Sequence, residues 1–217
     1  KCLMDEFQNK MYIKTSFDKK DDTLEKSTEA ISNFVFPGLN EIKDAITGFY
    51  GIEGMKTIKV QLENNNEILL DLINKKFMNN KIKNKNEILY YDENNNILKG
   101  LIYNKKYLKY FSSKFYTAFS NIDDLIVNKK GVKTIFVYSN LVKSGIELFE
   151  QILLHNGYLE YREDLNYNIT NDTIDYYTGK TYIEFNKTEK REFKPATYLS
   201  VTGSITDNEI DDVDIKK

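Results

Sequence analysis

The sequence predicts an α/β fold in which a partial parallel sheet, built on one strand–helix–strand (βαβ) unit, follows a mixed segment of helices and a hairpin. Three observations carry this. Val132-Lys133-Thr134-Ile135-Phe136-Val137-Tyr138 is a nearly continuous run of β-formers, the pattern of a strand buried on both faces. After Ser139-Asn140, the residues Val142, Ile146, Phe149 and Leu153 recur at helical spacing until Asn156-Gly157 supplies a stop. Tyr158-Leu159-Glu160-Tyr161 then reads as the next parallel strand, which closes the unit within about 30 residues.

The elements before this unit follow from spacing and punctuation. Residues 1–36 carry charged clusters around Phe7, Tyr12, Ile13 and Phe17, and end in the apolar run Phe34-Val35-Phe36 and a Pro37-Gly38 turn signal. Leu39, Ile42, Ala45, Ile46 and Phe49 predict a helix over 39–50, interrupted by Gly48, Gly51 and Gly54. Ile58, Val60 and Leu62 alternate like a strand, although a helix over 55–63 fits as well. A helix is expected over 68–77, and a hairpin over 88–103 with its turn at Asp92–Asn96. Leu108, Phe111, Phe115, Ala118 and Ile122 step by three and four, which is one face of a helix. Past the βαβ unit, the tail 207–214 has five acids and no base, the composition of a solvated loop.

Composition removes several function classes. Hydrophobic residues are 41% and charged residues 29% of 217, which suits a globular core and argues against wholesale disorder. No apolar run approaches the roughly 20 residues that span a bilayer. A net charge of −2 leaves any attraction for a polyanion to local clusters. One cysteine, Cys2, and one histidine, His155, argue against a disulfide framework, a zinc cage and a Cys-His or Ser-His-Asp hydrolase. His155 lies near a predicted helix C-terminus, where interaction with the helix dipole suffices to explain it. The chain begins at Lys1 in mid-pattern, so a piece of something larger is expected.

The motifs differ in the chemistry their residues can support. Gly48–Thr57 lacks the adjacent Gly-Lys-Ser/Thr that a phosphate-binding P-loop needs, because Met55 separates Gly54 from Lys56. Leu3-Met4-Asp5-Glu6 has paired acids without the long apolar strand that would present them to magnesium. Five lysines (75, 76, 81, 83 and 85) form a run without acids. Between Lys99 and Phe119, Tyr103, Tyr107, Tyr110 and Phe111 interleave with Lys105, Lys106, Lys109 and Lys114. That pattern suits either phosphate and base contact or an amphipathic helix with solvated lysines. Ser139, Asn140, Lys143, Ser144 and Gly145 sit where a strand feeds a helix, the place at which open α/β sheets hold anions. Ordinary capping by Asn140 or by a Ser144-x-x-Glu147 box is the alternative.

The run Lys133-Thr134-Ile135-Phe136-Val137-Tyr138-Ser139-Asn140-Leu141-Val142-Lys143-Ser144-Gly145-Ile146 resembles motif IV of superfamily 2 helicases. More narrowly, it is similar to the poxvirus-type and giant-virus NTPases and helicases of viral transcription. Tyr110-Phe111-Ser112-Ser113-Lys114-Phe115-Tyr116 resembles the Ser-x-Lys-Phe element that precedes the motif. Ser32-Asn33-Phe34-Val35-Phe36-Pro37 and Phe193-Lys194-Pro195-Ala196-Thr197-Tyr198 resemble further segments of those proteins in the same order. A bias to 29 Lys against 2 Arg, with 24 Asn, suggests an AT-rich coding genome of the giant-virus or protist kind.

The resemblance implies a fragment: an inter-lobe segment over 1–105, then the first part of a second RecA-like lobe over 106–217. Ser139, Asn140, Lys143, Ser144, Gly145 and Lys114 would grip the backbone of single-stranded DNA or RNA. ATP and Mg would belong to the full-length parent and not to this piece. The nucleotide loop, the Asp-Glu box and motif VI are absent, and Arg162 and Arg191 offer no arginine finger. The remainder of the helicase chain would be a partner, a membrane would not, and the compartment would be the virion or host cytoplasm. A non-enzymatic nucleic-acid-binding module and a structural or assembly protein of a large DNA virus are the other expectations.

Overall fold

A computed structural model describes residues 3–18, 22–127 and 134–202. Two helices open it, α1 (Glu6–Asp18) and α2 (Asp22–Asn33), and they pack on each other. Just after α2, Phe34, Val35 and Phe36 are each at most 1% exposed, which fixes the chain's path into the core. Strand β1 (Phe36–Leu39) pairs antiparallel with β2 (Ile46–Phe49), with Phe36 opposite Phe49 and Leu39 opposite Ile46. A hairpin thus replaces the helix expected over 39–50. The reason lies in the turn, where Asn40 Oδ1 accepts from the Asp44 and Ala45 amides and Lys43 takes a positive φ of 58°. An asparagine that satisfies local amides in this way competes directly with helix hydrogen bonds.

Helix α3 (Gly51–Met78) resolves the ambiguity at 55–63 in favour of helix, with Ile58 fully buried. It bends at Asn65, whose φ/ψ of −145°/30° is not helical, and ends on Asn79 in the left-handed region. The predicted hairpin forms from β3 (Tyr90–Asp92) and β4 (Ile97–Lys99). The helical stripe expected over 108–122 is present but divided between α4 (Lys105–Phe111) and α5 (Ser113–Val127). Leu108, Phe111, Phe115 and Ile122 are buried all the same. The break falls at Ser112, which is 0% exposed. Its hydroxyl donates to the Asn33 carbonyl and accepts from the Phe115 amide at 3.0 Å.

The principal correction concerns the predicted central strand. Residues 132 and 133 lie outside the described residues, and 134–138 are assigned to no strand. Ile135 is 36% exposed and Phe136 90% exposed. A strand run of this composition becomes a strand only when neighbours take up its N–H and C=O groups, and no strand among the described residues pairs with it. The burial on both faces expected of this run is therefore not found at 134–138. The helix after it begins as a single π turn (Val142–Ile146) and continues as α6 (Glu147–His155). Strand β5 (Leu159–Glu160) does pair in parallel, but with β6 (Thr197–Tyr198) rather than with 134–138. The architecture is therefore mixed α/β with three two-stranded sheets, and no βαβ sheet is assigned among the described residues.

One apolar cluster runs from Phe7 to Ala196. At its centre Phe7, Phe34, Phe77 and Phe111 meet at ring separations of 4.8–6.1 Å, mostly edge-to-face. His155 and Asn156 tie α6 to the segment before α4. His155 Nε2 accepts from the Gly100 amide at 3.0 Å, and Asn156 Oδ1 accepts from the Lys105 amide at 2.8 Å. Beyond β5, helix α7 (Tyr182–Thr188) starts with a capping box between Thr181 and Glu184. Beside it the buried Asp175 carboxylate accepts from the Tyr177, Thr178 and Lys194 amides, the Thr178 hydroxyl and the Arg191 guanidinium.

Candidate nucleic-acid interface

Three segments distant in sequence converge on Asn33. Its carbonyl accepts from Ser112, its Oδ1 accepts from Lys114 Nζ at 2.7 Å, and its Nδ2 donates to the Ser144 carbonyl at 3.3 Å. Asn33 is 1% exposed, so its amide holds these groups in a dry setting where each bond is costly to lose. Lys114 is thereby fixed by its tip, with its ammonium between the end of α2 and the π turn.

This arrangement lines a cleft of about 220 Å³. Lys114, Ser139, Asn140 and Gly145 of the expected site all border it, together with Glu29, Asn33 and Tyr138. Ser139 is held by its own turn: its hydroxyl accepts from the Leu141 amide at 3.2 Å and donates to the Leu141 carbonyl at 3.0 Å. Asn140 is exposed and engages no partner among the described residues. The π turn closes on an Ile146 amide bonded to the Leu141 carbonyl at 3.0 Å. The amides of Val142, Lys143 and Ser144 stand ahead of that first intrahelical bond and keep their donors for an outside acceptor. The dipole of the following helix favours an anion at this end.

Other parts of the expected site behave differently. Neither Asn140 nor Ser144 caps the helix, since the position before the π turn is Leu141 and no side chain bonds its first amides. Ser144 is 2% exposed and lies beneath the cleft, with no partner for its hydroxyl among the described residues. Gly145 offers no room for a ligand: a Cβ there would stand 2.2 Å from Ser139 Oγ, so the glycine seats the serine. Lys143 is half-buried and does not border the cleft. Its charge acts on Glu147, whose carboxyl is raised above its ordinary range by burial, and by Glu150, against the pull of Lys143.

Sequence reasoning did not assign Asn33, Glu29 or Tyr138 to the site. Asn33 was in view within Ser32-Asn33-Phe34, but an asparagine at the end of a helix reads as a cap. Tyr138 was hidden by the expectation of a buried strand, and in fact it is 76% exposed.

No protein-family model and no solved structure matches this chain. The chain is similar to the protein named "Putative ATP-dependent RNA helicase" of Acanthamoeba polyphaga mimivirus, at 38% identity over 211 residues and 94% of the present chain. It spans about 18% of the length of that relative. The likeness agrees with the giant-virus helicase resemblance noted above, and it covers the regions of α2, α5 and the π turn together. No helix among the described residues is long and apolar enough to cross a membrane.

Proposed function

We propose that this chain is the part of a viral superfamily 2 ATP-dependent helicase that grips single-stranded nucleic acid by its backbone, in a protein of viral transcription. The observation that carries the reading is the cleft, where the tethered Lys114 ammonium and the exposed Asn140 amide side chain border one space beside the start of the π turn. Together they suit a phosphate. Residues 1–105 would serve as the inter-lobe segment, and 106–217 would open the second RecA-like lobe and carry motif IV at 133–146. The solvent-facing run 134–138 fits such a part, because no strand among the described residues pairs with it and strands of a longer polypeptide could. ATP and magnesium would be held by that longer protein, which supplies phosphoryl transfer. The residues here bind and position the strand.

Contacts of this kind read no bases, so binding should tolerate any sequence. Binding of labelled single strands, followed by anisotropy across a salt series, tests the assignment. Lys114→Ala should weaken binding similarly on all sequences and lower the salt slope by about 0.7 on a single strand. Lys143→Ala, at a position off the cleft, should leave the slope unchanged. Unchanged affinity and slope in Lys114→Ala would reduce the segment to an ordinary helix start.

A further inference from the structure

Two lysine-bearing stretches that the cleft leaves largely unused meet elsewhere in the fold. The Phe77 ring, in the acid-free lysine run of α3, lies 5.7 Å from the Tyr110 ring of α4 and 5.1 Å from the Phe7 ring of α1. Lys76 Nζ sits 5.2 Å from the Phe7 centroid and 5.5 Å from that of Phe77. Lys109 Nζ sits 5.2 Å from the Tyr110 centroid, and Lys10 follows Phe7 by one turn of α1. Lys10, Lys76 and Lys109 are all exposed, and none forms an ion pair with a carboxylate among the described residues.

Lys10 and Lys76 therefore lie close enough for their charges to repel, and Lys109 stands on the Tyr110 ring that packs against Phe77 beside them. Burial and the neighbouring Lys10 both hold the Lys76 ammonium below the ordinary lysine range, and Glu6 on α1 only partly opposes them. A polyanion laid across this face would relieve that repulsion. The neighbouring rings also lie against the lysine ammonium groups, so less side-chain freedom is lost on binding.

The face adjoins the cleft through α1. Asp5 donates its amide to Ser113 Oγ at 3.1 Å, and Gln8 Oε1 accepts from the Ser113 amide at 3.0 Å. Ser113 immediately precedes Lys114, so a strand leaving Lys114 meets α1 next. We propose that the junction of α1, α3 and α4 is a second contact for single-stranded nucleic acid, with Lys10, Lys76 and Lys109 holding backbone phosphates beyond those at the cleft. This rests on the nucleic-acid reading of the cleft. A backbone of evenly spaced charges fits better than an acidic peptide, because the lysines are fixed on three rigid helices rather than on loops that could follow an irregular partner.

The test uses the full 217-residue chain and fluorescein-labelled oligouridylate of increasing length, over a salt series. Lys10→Gln/Lys76→Gln should bind long oligomers about tenfold more weakly at low salt. Its salt slope should fall by about 1.4, at roughly 0.7 per lost single-strand contact. Short oligomers that fill only the cleft should bind as to the unaltered chain. Lys10→Gln alone, on an exposed position outside the core, should lower the slope by about half as much and guards against misfolding of the double variant. The exposed pair Lys81→Gln/Lys83→Gln should leave both quantities unchanged. If Lys114→Ala weakens binding while the Lys10 and Lys76 variants do not, the second contact is wrong and the cleft stands. If polyglutamate of equal charge displaces long oligouridylate as well as unlabelled RNA does, the face is a docking surface for acidic protein and the proposal is overturned.

Discussion

Asp175→Asn should cost about 2–4 kcal/mol of stability while changing almost no volume. The Asp175 side chain is 0% exposed, and its Oδ2 accepts from the Tyr177 amide at 3.1 Å, the Thr178 amide at 2.8 Å, the Thr178 hydroxyl at 2.8 Å and Arg191. Oδ1 accepts from the Lys194 amide at 3.3 Å. Arg191 in turn lies between the rings of Tyr177 and Phe185, at 4.7 and 4.8 Å. An asparagine keeps one acceptor but places an NH₂ against donors and leaves the guanidinium half-buried without its anion. Charge-assisted hydrogen bonds contribute roughly 1.5–3 kcal/mol each, and removing one partner of a buried ion pair costs about 3–5. The lower figure applies because Arg191 retains water on one side. For a chain of this size the loss corresponds to a fall in Tm of roughly 5–15 °C. Burial alone would raise the Asp175 carboxyl, but the bonds from Arg191, Thr178 and Lys194 outweigh it and hold the pKa below 3.8. Its contribution is thus complete above the unfolded value and disappears as the pH falls through the lower folded one. Urea melts at pH 7 and between pH 4 and 2 measure both effects. A variant within about 0.5 kcal/mol of the unaltered chain at pH 7, with the same acid profile, would refute this account.

Three further outcomes are expected. The His155 ring is held below its ordinary pKa by burial and by Lys99, against the Gln151 carbonyl, because Nε2 must stay bare to accept from Gly100. Stability is then full above 6.5 and falls below it by at most about 1.4 kcal/mol per pH unit; chemical denaturation at pH 7.5 and 5.5 should show this, and His155→Phe should abolish the dependence. Gly145→Ala should displace Ser139 and cost about 1–3 kcal/mol, with weaker oligonucleotide binding and, in NMR spectra, shifted amides at 139–141. Ile135→Asp, by contrast, should leave the melting curve within about 0.5 kcal/mol of the unaltered chain, as expected for an exposed position.

What the sequence disclosed divides along a physical line. Elements whose pattern is satisfied locally were legible: the hairpin of β3 and β4, the second half of α3, α6 with its Asn156-Gly157 stop, and the buried positions Leu108, Phe111, Phe115 and Ile122. Elements decided by a single side chain against the trend were not. Asn40 turned an apparent helix into a hairpin, and the Ser112 hydroxyl divided one helix into two while leaving its apolar stripe intact. Residues 134–138 form no strand for a different reason, since a strand depends on neighbours that its own residues do not supply. For the site, residue types at a strand-to-helix junction drew attention to Ser139, Asn140 and Gly145, and the resemblance drew attention to Lys114. Asn33, which joins them, carries no pattern of its own, and Ser144 is buried away from the cleft that Gly145 borders.

The bonds that shape the cleft also set when it can exist during synthesis. Asn33 leaves the ribosome long before Ser144, 111 positions later, and Gln8 waits 105 positions for Ser113. At about 5–20 residues added per second, Asn33 spends roughly 6–22 s without its last partner. Over that interval α1 and α2 have their own packing but no seat for the Asn33 and Gln8 amides, whose hydrogen bonds water must satisfy. The cleft is therefore a late product of translation.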